Sequence, residues 1–483
     1  MPAMNVICVC LDTFRADALY PEDALAGEVE TPNLDRFLQD AVWFRQAFGE
    51  GLPTLQMRRG CFTGRRSFPW RFNFDRRGHW HHAYGWHKIP PEHDTLAEIL
   101  LRRGYATGLV ADSYHMFKPT MNYTRGFLSY EFIRGQENDN WKSGPLGLIR
   151  EQAAKHTPDL GNLARQVTLV QYLHNQRGRK SEKDYQCARV FRSAMNWIDD
   201  NADNGPFFLW VDSFDPHEPW DPPAPYADRY CPNYRRIDYI LPPGGPVFAK
   251  LPEKEKKRIR ALYLGEVTFV DSWVGAFLKH LKKKRLYDSS LIFIISDHGT
   301  QLLDRGGFGK TPLDLHPFNT RQTWTMRHPD APEGKPIDGF IQNHDLAPTI
   351  LGLLGYEAPM DGRSFWPLVE GDRSAARDHV VTGWAGFGGD DVGGASVRDN
   401  EWNAIFNLGR PETAPRLFDL KADPEERADV AAKHPDALKK QQQRLETVLG
   451  APLPFLFNEK AGGGGPAPSN VFYHTRTKLR MPL

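Results

Sequence analysis

Cysteine is scarce: Cys8, Cys10, Cys61, Cys187 and Cys231 are the five in 483 residues, and they are scattered. That usage argues against a disulfide framework. Cys8 and Cys10 have no second close pair with which to build a zinc knuckle, so buried, reduced thiols are expected. An excess of charge is missing too, with 61 Lys and Arg against 60 Asp and Glu. This leaves no bulk attraction to nucleic acid or to an acidic membrane, and any charge selectivity has to be local. No apolar run approaches the roughly 20 residues of a spanning helix. The apolar opening from Asn5 to Leu11 is too short for a signal peptide and lacks a basic leader, so a cytoplasmic location is expected. No internal repeat is visible.

What is present reads as a folded globular chain, 40% hydrophobic and 25% charged, long enough for one large α/β domain and a smaller appendage. Short apolar runs at Asn5–Leu11, Pro206–Val211 and Ser290–Ser296 have the look of buried parallel strands. Helical patterns alternate with them at Leu96–Arg103, Tyr185–Asp200 and Arg258–Lys284, which predicts a mostly parallel sheet with helices on both faces. Ligand sites in such sheets lie at the carboxyl ends of the strands. Here those ends read Asp12, Asp212 to His217, and Asp297-His298. One such carboxylate would be an ordinary cap or turn former; three ends of metal-binding type point to a site.

The polar segment from Arg134 to Lys183 has no clear strand and reads as an insertion near the mouth of that site. After Gly362 the elements shorten. The organisation expected is a catalytic domain over 1–371, an α+β subdomain over 372–460 with an antiparallel sheet and a helix from Ala428 to Leu449, and a Gly-rich linker with a basic, partly aromatic tail over 461–483. The tail is a candidate for docking on this subunit or on a second copy, which would make a homo-oligomer.

Asp12, Asp297 and His298 mix carboxylate with imidazole. That set suits Zn²⁺ or Mn²⁺ better than Ca²⁺, which prefers oxygen alone. A hydroxyl in a loop before a helix start, with a cation near it, is the natural nucleophile beside such an ion, and Thr54-Leu55-Gln56-Met57-Arg58 supplies one.

With these residues in view the chain resembles the sulfatase family of the alkaline phosphatase superfamily along nearly its whole length. Asp12-Thr13-Phe14-Arg15-Ala16-Asp17 is similar to the family's opening Asp-x-x-Arg-x-Asp, and Thr31-Pro32-Asn33-Leu34-Asp35 to its next block. Thr63-Gly64-Arg65 resembles the Thr-Gly after the Cys-x-Pro-x-Arg signature, and counting back by the family spacing puts Thr54 at the Cys position and Arg58 at the Arg position. Asp215-Pro216-His217-Glu218-Pro219, Asp297-His298-Gly299 with Gly309-Lys310, Asp345 to Thr349, Asp361 to Ser364 and Leu417 to Glu426 resemble later blocks in order. The resemblance implies an alkaline-phosphatase-like fold and a divalent ion on Asp12, Thr54, Asp297 and His298. It also implies that Arg58 holds the nucleophile loop, that Lys310 touches a non-bridging oxygen, and that His217 or His115 protonates the leaving oxygen. Asp215, His217, His316 and His344 are available for a second ion.

Two departures from the family pattern matter. Family sulfatases convert the signature Cys, or in some bacteria Ser, to formylglycine, whose second hydroxyl expels sulfate; threonine has one hydroxyl and cannot do this. Gln56 replaces the Pro or Ala expected two residues on, and Cys61 is out of register. A threonine on one metal is instead what related phosphodiesterases and phosphotransferases use, with water opening a phospho-threonine at phosphorus. The expected activity is hydrolysis of small phosphate esters, phosphodiesters or phosphonate monoesters, with no nucleic-acid or membrane partner. Two other readings compete: a sulfatase that acts without formylglycine, and a catalytically silent binder of phosphorylated or sulfated ligands. The stretch from His79 to His93, with Trp80, Tyr84 and Trp86 interleaved, is read as a half-exposed aromatic surface facing substrate rather than a metal site.

Overall fold

The computed structural model describes residues 4–70, 85–118, 121–388, 391–410, 412–455 and 468–482. Its centre is an eight-stranded sheet made of β1 (Asn5–Leu11), β2 (Val42–Phe44), β3 (Ala106–Ala111), β4 (Ser129–Phe132), β5 (Phe207–Ser213), β6 (Ser290–Ser296), β7 (Trp324–Arg327) and β8 (Lys335–Ile337). They lie in the order β8-β2-β7-β6-β1-β5-β3-β4. β1 runs parallel to both neighbours, with Val9 opposite Val211 on one side and Ile294 on the other. Only β7, among the strands of this sheet, is antiparallel to the strands beside it.

β5 and β6 are buried at every position, and β1 at every position but its first. This is why the sequence shows unbroken apolar runs there: both faces are covered. Alternate residues of β1 supply the two sides. Val6, Cys8 and Cys10 pack with the helices α1 (Leu55–Thr63) and α2 (Leu96–Arg102). Ile7, Val9 and Leu11 pack with α3 (Gln186–Asn201) and α4 (Glu253–Lys283). α4, with 31 residues, is long and apolar enough to cross a membrane, but 78% of its most apolar window is packed inside the molecule. All five cysteines are free thiols.

The C-terminal sheet is antiparallel through β9 (His379–Gly388), β10 (Asp391–Asp399), β11 (Trp402–Asn407) and β12 (Arg416–Asp419). The helix α5 (Pro435–Leu449) lies on it, burying Gln441, Leu445 and Leu449. This helix starts at Pro435 rather than at Ala428, because a proline sits well at the first helical position and drives the residue before it out of the α region; His434 has φ −129° and ψ 59°. The fifth strand of this sheet comes from far away in sequence: Gly51–Leu52 pairs in parallel with Gly383 and Trp384 of β9. The tail helix α6 (Pro468–Lys478) docks on its own subunit, where the buried Tyr473 meets the His174 ring at 3.3 Å.

Candidate active site

β1 and β6 are adjacent and parallel, with Leu11 opposite Ser296, so Asp12 and Asp297-His298 leave the sheet side by side. One donor atom from each of Asp12, Asp297 and His298 lies within 4.8 Å of the others, and all three residues are buried. Nδ1 of His298 is 2.9 Å from the Gly299 carbonyl and donates to it, which leaves Nε2 as a lone pair. Nε2 of His298 and Oδ2 of Asp12 are buried without a hydrogen-bond partner. Burial and the Asp297 charge push the Asp12 carboxyl well above the usual range. Asp297, equally buried, is nevertheless held low by His298 and Arg58. Two orphaned donor atoms and two opposed carboxylates are what a divalent cation would satisfy, so the residues fit the ion that the family pattern implies.

That fit has a measurable consequence. Removing divalent ions with a chelator is expected to lower the melting temperature. Restoring Zn²⁺ or Mn²⁺ at about 100 times its Kd should return on the order of 2.7 kcal/mol of stability. An Asp297→Ala variant should show no response to the added metal.

Thr54 stands at the N-cap of α1 with φ 43° and ψ −81°. Positive φ is a genuine strain for a β-branched residue. A threonine at this position ordinarily caps the helix with its hydroxyl, yet Thr54 makes no such cap. The backbone is held from both sides. Leu52 is locked into the C-terminal sheet, and the amide of Gln56 donates to the Leu52 carbonyl at 2.8 Å while its oxygen accepts the Trp70 indole N–H at 2.6 Å. Gln56, the departure from the family pattern, is thus part of the clamp on this loop. α1 ends at Gly64, φ 64°, where a Cβ would fall 2.3 Å from Met360 Sδ, which accounts for the Thr-Gly of the motif.

Arg58, one turn into α1, is fully buried. Its Nε and Nη2 fork onto Asp212 at 2.8 Å each, and Nη1 reaches both Asp297 Oδ2 at 2.9 Å and the Thr54 carbonyl at 3.1 Å. Nη2 also lies 3.1 Å from Asp12 Oδ2, out of hydrogen-bonding alignment. Arg58 is therefore the tie between the Thr54 loop and the metal-type cluster. Sequence reading placed Asp212 at a strand end but gave it no role; it is the carboxylate that anchors Arg58.

On the open side, Lys310 Nζ donates to Glu218 Oε2 at 2.8 Å and to Thr13 Oγ1 at 3.2 Å. Thr13, the second threonine at positive φ (62°), donates its hydroxyl to Asp12 and its amide to Asp297. An ammonium has three donors, so one remains for a substrate oxygen. Glu218, though buried, is brought down to about 2 by its neighbours, with Lys310 donating to it directly. Burial pushes His217 down to about 3, and its Nδ1 meets the Glu218 carbonyl at 2.6 Å. The ring is thus neutral with its lone pair on Nε2, the form that takes up a proton rather than giving one. His115 is packed between Tyr114, tilted against it, and Trp86, edge-on to it, with ring centroids 4.0 and 4.7 Å away.

The set suggested for a second ion is not assembled. Asp215 is hydrogen-bonded to Gln136 and the Cys187 amide, His316 is paired with Glu426 at 2.6 Å, and His344 lies 3.9 Å from Asp345 beside Arg377. Among the described residues only Asp12, Asp297 and His298 gather as a metal-type cluster. Trp86 is buried rather than half-exposed, because its indole N–H donates to the Pro53 carbonyl under the Thr54 loop. His87 is buried against Arg59; Trp80, Tyr84 and His79 to His82 lie outside the described residues.

A strained threonine whose carbonyl is tied by one arginine to a buried carboxylate–imidazole cluster, on an alkaline-phosphatase-like sheet, is the arrangement of a hydrolase of ester bonds. The sequence profile described as Sulfatase matches residues 4–356, and the chain belongs to that family. A second profile, the C-terminal part of N-sulphoglucosamine sulphohydrolase, matches 315–450. The multifunctional alkaline phosphatase superfamily protein PehA of Trinickia caryophylli is 24% identical, over 89% of this chain and 92% of its own. An arylsulfatase of Clostridium perfringens is 23% identical, over 87% and 89%. Among solved structures, the phosphonate monoester hydrolase of Agrobacterium radiobacter superposes with a TM-score of 0.70 at 20% identity, covering 92% of this chain and 95% of that one.

Proposed function

We propose that this protein is a metal-dependent hydrolase of phosphate esters, with phosphodiesters or phosphonate monoesters as its substrates and a covalent phospho-threonine at Thr54 as its intermediate. The observation that carries this is Thr54 itself: a strained, uncapping hydroxyl beside Arg58, with no second hydroxyl through which a sulfated enzyme could release sulfate. A divalent ion held by Asp12, Asp297 and His298 would lower the pKa of the Thr54 hydroxyl and withdraw charge from the phosphoryl oxygens. Thr54 attacks phosphorus, the P–O bond to the leaving group breaks, and water then attacks phosphorus in line and frees Thr54. Lys310 meets a non-bridging oxygen. His217 enters neutral, able to take up a proton released by an attacking hydroxyl, and His115 is the second candidate for protonating the leaving oxygen.

Charge supports the substrate class. Asp12, Asp212, Asp297 and Glu218 face Arg58 and Lys310, so a divalent ion brings the described centre to neutrality. A monoanionic diester leaves one uncompensated charge, whereas a dianionic monoester leaves two. The sulfate-ester reading draws on the arylsulfatases among the similar proteins and on a structure, TM-score 0.68 at 18% identity over 93% of this chain and 98% of that one, that holds D-glucosamine-2-N,6-O-disulfate as its substrate. Turnover of an aryl phosphodiester, an aryl phosphonate monoester, an aryl phosphate monoester and an aryl sulfate separates the two. The first two should exceed the others in kcat/KM by about tenfold or more; dominant sulfate turnover would overturn the assignment.

A further inference from the structure

The loop from Arg134 to Asp139, at the start of the polar insertion, lies outside the sheet, yet it grips both segments that carry the candidate histidines. Gln136 is buried, and its single amide nitrogen donates twice: to Asp112 Oδ2 at 3.0 Å and to Asp215 Oδ1 at 2.7 Å. The remaining oxygens of that carboxyl pair accept backbone amides, Asp112 Oδ1 from Phe214 at 2.6 Å and Asp215 Oδ2 from Cys187 at 3.1 Å. Gln136 therefore closes a ring around residues 214–216, the stretch that delivers His217. The next residue acts on the other segment. Glu137 Oε2 accepts the Tyr114 hydroxyl at 2.9 Å and lies 3.9 Å from His115 Nε2. Phe214 stands between the two histidines, its ring centroid 4.2 Å from His217 and 6.3 Å from His115.

The loop is built to hold this arrangement. Arg134 forks onto Asp139 at 2.8 and 2.7 Å, the Gly135 amide donates to Asp139, and Gln176 and Arg189 donate to the Gly135 and Arg134 carbonyls. Glu137 has φ 36°, a strained backbone for a non-glycine residue, kept because its neighbours fix it. Without the Gln136 donors the two buried carboxyls lose the bridge that sets their spacing, which lets the 214–217 segment drift.

We propose that Gln136 and Glu137 are positioning residues for the reaction, Gln136 acting through His217 and Glu137 through His115. The proposal rests on the roles given to the two histidines under the proposed function. Double-variant cycles on the full-length, metal-loaded enzyme with an aryl phosphodiester test it. Gln136→Met and Glu137→Leu should each lower kcat about tenfold, with KM nearly unchanged. Neither should cost anything further when its own histidine is already alanine, whereas the crossed pairs, Gln136→Met with His115→Ala and Glu137→Leu with His217→Ala, should multiply. Glu137→Gln, which keeps an acceptor for Tyr114, should restore most of the loss. Multiplying effects in the matched pairs, or losses confined to KM, would overturn the proposal alone. Unchanged kcat in His217→Ala and His115→Ala would overturn the histidine roles and the proposal together. Thermal unfolding and metal content control for folding; if Gln136→Met does not fold, Asp215→Asn, which keeps the side-chain volume, takes its place in the same cycle.

Discussion

Thr54→Ala should abolish phosphoester turnover, with a loss in kcat on the order of 10⁴-fold or more, while metal content and melting temperature stay close to those of the parent. The hydroxyl takes no part in capping α1, so its removal costs the helix nothing. Thr54→Gly carries the argument further. A glycine accepts φ 43° without the clash that a β-branched side chain makes. That variant should be as inactive as the alanine variant yet more stable than the parent, by roughly 1 kcal/mol. Gain of stability with loss of turnover is the signature of strain kept for chemistry. Thr54→Ser should keep the reaction and relieve part of the strain. Denaturant unfolding beside steady-state kinetics reads both quantities. A stable, fully active Thr54→Ala would remove the nucleophile from the proposal altogether.

The second large effect falls on Arg58. Its guanidinium is the countercharge for three buried carboxylates, those of Asp12, Asp212 and Asp297, none of which is exposed. Arg58→Met is expected to destabilise the protein by about 3–5 kcal/mol, because it strands buried charge rather than removing a pair. Turnover should fall to background, since Nη1 also holds the Thr54 carbonyl. Arg58→Lys should recover little. One ammonium cannot reproduce the planar fork on Asp212 and at the same time reach Asp297 and Thr54. Adding Asp212→Asn to Arg58→Met should return part of the lost stability by removing one stranded charge. Wild-type stability in Arg58→Met would show that the carboxylates are protonated or hydrated in solution.

The metal-type cluster was legible because each of its members follows a buried strand in the sequence, and neighbouring parallel strands bring their ends together by geometry alone. Thr54 was legible from the spacing of a motif. Asp212 was visible near the end of a strand, but nothing local says that its side chain folds back onto an arginine 154 positions earlier. Glu218 sits beside a histidine that drew the attention. Gln136 and Glu137 lie in a polar segment without periodicity, where only the folded chain shows which groups meet. The same limit explains β7: four residues, Trp324–Arg327, carry no signal of direction, and their antiparallel setting follows from where the neighbouring loops deliver them. The set offered for a second ion failed for a related reason: His316 is paired with Glu426, and the Asp345 carboxylate near His344 is taken by Arg377.

The pairing of Gly51–Leu52 with Gly383 and Trp384 has a consequence for how the protein is made. During synthesis the chain emerges from its N-terminal end, and the large sheet can begin to form as its strands appear. The strand that leads into the reactive loop has nothing to pair with until residues more than 330 positions downstream have left the ribosome, and Trp384, whose ring lies 5.1 Å from that of His298, arrives with them. A nascent or prematurely terminated chain would thus expose donor groups without a seated nucleophile. Competence for hydrolysis would come late and all at once, with the closing of a sheet that the first fifty residues wait for.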